Sequence, residues 1–213
     1  MRLRWMIGFC IVLAAAAFAA DAATVSTTSL APPAGQATAI FAGGCFWCEE
    51  AAYMDLPGVV SVTSGYTGGQ KKDPTYEEVS TGTTGHAESI QVIYDSSKVS
   101  YAKLLDLFWH NVDPLDAGGQ FCDRGSQYRS GIYYTTEDQH REAEASKAAL
   151  EKDPRFAGKI VTQVLPASTF YRAEEHHQGF CKKEPVHYGL YRKGCGRDAR
   201  LKELWGAAAG GHS

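Results

Sequence analysis

Short apolar runs alternate along this chain with runs of helical period. Ala37 to Ala42 is nearly all apolar and reads as a strand ending at Gly43-Gly44; Glu49 to Leu56 permits a helix. Val59 to Tyr66 is β-branched, bounded by Pro57-Gly58, and reads as a second strand. Gly68 to Pro74 is a loop, and Thr75 to Ser80 a short helix. Glu88 to Tyr94 alternates, with Ile90 and Val92 on one face of a strand. Ser100 caps a helix from Tyr101 to Asn111, where Leu104, Leu105, Phe108 and Trp109 fall at helical spacing. Asp116 to Arg129 is a Gly-rich polar loop dense in functional groups. Ser130 to Thr135 predicts a strand, Thr136 to Lys152 a helix, Ile160 to Leu165 a strand and Ala173 to Lys182 a polar helix. The remainder reads as irregular. The order strand–helix–strand–strand–helix–strand is an extended split βαβ pattern. It predicts an α+β fold, a two-layer α/β sandwich with a mixed sheet built on a ferredoxin-like split βαβ core.

The ends of the chain read differently. Arg2 and Arg4, an apolar stretch from Met6 to Ala17 and the small residues before Ala22 predict a signal peptide over 1–22. Residues 23–36 read as a flexible linker and 206–213 as a disordered tail. This leaves one domain, 37–205, in a protein exported to the periplasm or secreted. Net charge is −3 with scattered Lys and Arg, so no nucleic-acid surface is indicated. With Cys10 in the leader, the mature chain keeps Cys45, Cys48, Cys122, Cys181 and Cys195. An odd number in an oxidising compartment leaves at least one thiol unpaired within the chain.

The stretch Gly43-Gly44-Cys45-Phe46-Trp47-Cys48-Glu49-Glu50 concentrates the chemistry. Two glycines permit a tight turn, which puts Cys45 in the first turn of a helix. Free N–H groups there favour a thiolate, although by only about 0.3–1 kcal/mol. Glu49 and Glu50 oppose it, so further polar groups are expected. Cys45-x-x-Cys48 fits a redox or nucleophilic pair, half of a zinc site completed by histidines such as His176, His177 and His187, or a plain structural disulfide. A haem-attachment motif needs histidine where Glu49 stands.

Gly44-Cys45-Phe46-Trp47 resembles the signature of the peptide methionine sulfoxide reductase A family. Gly65-Tyr66-Thr67-Gly68-Gly69, Pro74-Thr75-Tyr76, Thr84-Gly85-His86-Ala87-Glu88, Gly125-Ser126-Gln127-Tyr128-Arg129-Ser130 and His176-His177-Gln178 are similar to further blocks of that family, in the same order. The resemblance implies a catalytic domain that reduces the S epimer of methionine sulfoxide, free or in proteins, and so repairs oxidised proteins. It implies no metal and no bound cofactor, and an external dithiol, thioredoxin or a thioredoxin-like protein, as reductant. A monomer is expected.

A sulfoxide sulfur is a poor electrophile until its oxygen takes a share of a proton. The resemblance makes Cys45 the nucleophile and Glu88 the acid. Tyr76 and Tyr128 are implied to hydrogen-bond the sulfoxide oxygen, and Asp123 to orient the site. Phe46 and Trp47 are implied to form a pocket for the substrate methyl. The Cys45 sulfenic acid then needs a second thiol. Cys48 is preferred, with Cys195 as competitor or second relay, and Cys122 is expected to pair with Cys181. His176 and His177 read as solvated, with a supporting role beside the site as the alternative, and Arg129 and Arg172 read as making surface or loop-bracing ion pairs. Two other classes remain open: a cysteine-stabilised extracytoplasmic binding module, and a thiol oxidoreductase of thioredoxin type, which lacks the expected proline between its cysteines.

Overall fold

The computed structural model describes residues 27–28 and 35–210. The leader expected at 1–22 lies outside them. In chain order the elements are β1 (Thr27–Thr28), β2 (Ala37–Gly43), α1 (Phe46–Tyr53), β3 (Val59–Thr67), α2 (Tyr76–Ser80), β4 (Ala87–Tyr94), α3 (Tyr101–Trp109), β5 (Gly119–Gln120) and β6 (Asp123–Arg124). They continue with β7 (Ser130–Tyr134), α4 (Glu137–Leu150), β8 (Gln163–Pro166), β9 (Phe170–Arg172), α5 (Phe180–Lys183), α6 (Pro185–Gly194) and α7 (Arg197–Trp205).

Seven strands form one sheet in the order β1-β9-β3-β4-β2-β7-β8. All neighbours are antiparallel except β7 and β8, so the sheet is mixed, as expected. Alternation along β2 sorts its residues between two faces. Phe41 faces the helices and stacks on Tyr53, Tyr101 and Phe108, with centroids 5.5, 6.1 and 5.3 Å away. Ile40 and Ala42 face the other way, into a smaller cluster with Ala87, Tyr133 and Phe170. Fully burying a ring such as Phe41 stabilises by roughly 1.5–3 kcal/mol relative to exposure. Caps follow local chemistry: Thr75 and Glu78 form a capping box on α2, and the Ser100 hydroxyl accepts from Lys103 N–H.

Four expectations need correction. Thr27-Thr28, read as linker, pairs with Tyr171 and Phe170 at the sheet edge. The polar helix expected over Ala173–Lys182 is a 3₁₀ turn, Glu175–His177, separated from α5 by Gly179 at φ +61°. The stretch read as irregular after it forms α6 and α7. Tyr188, Tyr191, Arg192 and Cys195 fall at i, i+3, i+4 and i+7, a helical period behind Pro185 at N1. The tail begins with a 3₁₀ turn, Gly206–Ala208, and Gly210 N–H donates to the His110 carbonyl.

Candidate active site

The turn between β2 and α1 requires both of its glycines. Gly44 sits at φ +87°, and a Cβ there would stand 2.6 Å from Gln120 Cβ. A Cβ on Gly43 would stand 2.4 Å from the Glu49 carboxyl. The turn leaves Cys45 as N-cap of α1, one residue earlier than expected. Its carbonyl accepts from Cys48 N–H (3.1 Å) and Glu49 N–H (3.3 Å). The Phe46 N–H is taken by Glu88 Oε2 at 3.0 Å.

Cys45, Phe46, Trp47, Tyr76, Glu88, Asp123, Tyr128 and Tyr191 line one cavity of about 60 Å³. Seven of these were singled out from sequence; Tyr191 was not. Two larger grooves, of about 780 and 600 Å³, lie against α3 and α4 and contain no cysteine. Tyr76 opens α2, where Glu174 Oε1 accepts its backbone N–H (2.8 Å) and Glu174 Oε2 accepts the Tyr66 hydroxyl (2.7 Å). Tyr128 ends a 3₁₀ turn clamped to α2 by the Gln127 amide on Ser80 O (3.0 Å). Arg129 braces the loop by donating to the Ser126 and Gly85 carbonyls rather than through the expected ion pair. Asp123 lies in the β5–β6 hairpin and accepts the Tyr191 hydroxyl at 2.5 Å.

Burial sets the electrostatics. It pushes Glu88 up to about 8, with only the Phe46 N–H opposing, and the Asp123 and Cys48 charges push the same way. Burial also raises the Cys45 thiol well above its ordinary value; a hydrogen bond to Cys48 adds to this, and one from Tyr191 opposes it. Cys48 falls to about 6, because Cys45 donates to it and Arg197 and Arg192 stand near. Burial therefore disfavours a thiolate at Cys45, while the two arginines favour one at Cys48. Burial keeps Tyr76 and Tyr128 protonated well past neutrality.

Both glutamates of the motif are buried and partnered. Arg197 Nη2 reaches Glu49 Oε1 (2.7 Å), Asn111 O (2.7 Å) and Gly43 O (3.2 Å), and its guanidinium lies 4.5 Å from the Phe121 ring centre. Burial still raises Glu49 to about 7. Glu50 accepts the Gly179 N–H on both oxygens at 2.9 Å.

Two expectations fail here. Cys122 pairs with Cys195, not with Cys181; Cys181 is free, 3.4 Å from Met54 Sδ. The reason is topological: α6 carries Tyr191 against Asp123 of the β5–β6 hairpin, and its C-cap, Cys195, then meets Cys122 in the turn of that hairpin. His177 is not solvated. It is 2% exposed, packs in tilted contact with the rings of Tyr76 (4.4 Å) and Phe46 (5.0 Å), and accepts the Trp47 indole N–H at 3.2 Å. Burial, with His176 beside it, lowers it to about 4, so it is neutral. His176 is exposed.

Residues 37–209 match the family model described as peptide methionine sulfoxide reductase. The chain is 53% identical over 167 residues to the peptide methionine sulfoxide reductase MsrA of Bacillus velezensis, covering 78% of this chain and 94% of that protein. It is 50% identical over 196 residues to peptide methionine sulfoxide reductase MsrA 2 of Caulobacter vibrioides, covering 92% and 97%. The solved structure of methionine sulfoxide reductase A of Corynebacterium diphtheriae matches with a TM-score of 0.67 at 34% identity, over 75% of this chain and 79% of that one. The chain belongs to the peptide methionine sulfoxide reductase family.

Proposed function

We propose that the protein reduces the S epimer of methionine sulfoxide, free or in proteins, with Cys45 as nucleophile and Glu88 as acid. The substrate methyl enters beside Phe46 and Trp47. The sulfoxide oxygen faces Glu88, Tyr76 and Tyr128, three groups that hold their protons at neutral pH. The Cys45 thiolate attacks sulfur as Glu88 gives its proton to the oxygen. Methionine leaves and Cys45 becomes a sulfenic acid. Cys48, within hydrogen-bond reach of Cys45, attacks that sulfur; water departs and a Cys45–Cys48 disulfide forms. An external dithiol of thioredoxin type reduces it by exchange.

Glu88 carries this reading. A buried carboxylic acid, its pKa pushed up to about 8, shares a small cavity with Cys45. Purified protein with dithiothreitol is expected to convert the S sulfoxide and spare the R form; equal use of both would overturn the assignment. The strand order β3-β4-β2-β7, all antiparallel, supports reading those four strands with α1 and α3 as the ferredoxin-like core. The leader pattern supports export, which N-terminal sequencing of the protein from a periplasmic fraction tests.

A further inference from the structure

Attack needs the negative charge on Cys45, where burial opposes it. The Cys45 thiol, Arg197 and Arg192 all favour the charge on Cys48 instead. The helix end beside Cys45 does not correct this. Its Phe46 N–H serves Glu88, and the Cys48 and Glu49 N–H groups serve the Cys45 carbonyl. A donor aimed at the Cys45 sulfur is required from elsewhere.

Tyr191 is placed to be that donor. It lines the same small cavity as Cys45, its ring meets Trp47 edge-on at 5.6 Å, and its hydroxyl, which donates to Asp123 Oδ2 at 2.5 Å, opens onto that cavity beside the Cys45 sulfur. A phenol has one proton, so Cys45 and Asp123 compete for it. Building on the reductase reading above, we propose that Tyr191 is a catalytic residue whose O–H donates to the Cys45 sulfur as that sulfur takes over the charge it shares with Cys48. The Cys45 proton passes to Cys48, and the Tyr191 proton turns from Asp123 to Cys45. Net charge is unchanged and nothing is oxidised until the sulfoxide is attacked.

The Cys122–Cys195 bond holds this donor in register. Cys122 precedes Asp123, and Cys195 N–H donates to the Tyr191 carbonyl at 2.8 Å, one helical turn away. The crosslink therefore brackets the Tyr191–Asp123 hydrogen bond from both sides.

The test reads the rate of iodoacetamide alkylation at Cys45 and Cys48 separately, by peptide mass mapping at pH 7, alongside methionine formed in one turnover without reductant. Tyr191→Phe is expected to slow both Cys45 alkylation and the single turnover by about 10- to 100-fold, while Cys48 alkylation does not slow. Asp123→Asn removes the competing carboxylate, so Cys45 alkylation is expected to rise. Opposite signs are the signature, because a merely structural role would slow Cys45 in both variants. Cys45 alkylation within twofold of wild type in Tyr191→Phe overturns the proposal, as does a fall in Asp123→Asn. Should Tyr191→Phe not fold, Asp123→Asn decides alone. A wild-type protein that reduces no sulfoxide would sink the reductase reading, while the alkylation contrast still tests Tyr191.

Discussion

Glu88 accepts the Phe46 backbone N–H at 3.0 Å, joining two residues 42 positions apart. The contact anchors a buried acid on the first amide of the helix that Cys45 caps. It also withdraws that amide from Cys45. The helix end thus positions the proton donor rather than activating the thiol.

Glu88→Gln keeps the shape and removes the proton. The sulfoxide-reduction step is expected to fall by about 10²- to 10⁴-fold, measured as methionine formed in a single turnover. In the wild type the same step should decline as pH rises through about 8, where Glu88 ionises. A Glu88→Gln variant whose residual rate shows the same decline would place the acid elsewhere.

Folding stability should carry the same signature. The folded pKa of Glu88 lies above its unfolded value, so the folded state binds the extra proton. Its contribution is fully present below about pH 4.3 and is lost as pH rises to about 8. Glu49, raised to about 7, adds to the trend, and Cys48, lowered to about 6, opposes it as pH rises. The difference between Glu88→Gln and wild type isolates one group. Denaturant titrations should show the variant gaining on wild type from pH 5 to pH 8. A constant difference would mean that Glu88 is not shifted.

The site divides into parts that one segment could reveal and parts that needed the fold. Cys45, Glu88, Tyr76, Tyr128 and Asp123 each lie in a recognisable local block, and all five line the cavity. Tyr191 lies in none, because its segment is polar and glycine-punctuated; the helical spacing of Tyr188, Tyr191, Arg192 and Cys195 was the available signal. His177 was misread because a histidine pair in a polar stretch gives no hint of the Trp47 indole above it. The cysteine pairing failed for a similar reason. Parity leaves one thiol over but does not select partners, and the approach of α6 to the β5–β6 hairpin does.

Arg197 and Glu49 form a nearly solvent-free ion pair, with side chains 1% and 0% exposed. Removing the cation strands a carboxylate beneath the catalytic turn. Arg197→Met is expected to destabilise by about 3–5 kcal/mol, read from urea unfolding at pH 7. The guanidinium also helps to hold the Cys48 charge, so Cys48 alkylation should shift to higher pH in the same variant. Unchanged stability would mean that Glu49 takes up a proton and the pair is dispensable.

The recycling order follows from which sulfurs are already spoken for. Cys122 and Cys195 are bonded to each other, whereas Cys45 and Cys48 are free, buried and in mutual hydrogen-bond reach. Arg197 and Arg192 stand near Cys48 and favour its thiolate once Cys45 has been oxidised. One equivalent of the S sulfoxide without reductant should therefore add a Cys45–Cys48 bond and leave Cys122–Cys195 intact, as read by peptide mass mapping. Cys48→Ser should complete one turnover and then stall with Cys45 as a sulfenic acid, trappable by dimedone. Cys195→Ser should still form the Cys45–Cys48 bond, since that step needs no outer sulfur. A Cys45–Cys195 bond with Cys122 released as a thiol would reverse the assignment and make Cys195 the resolving residue.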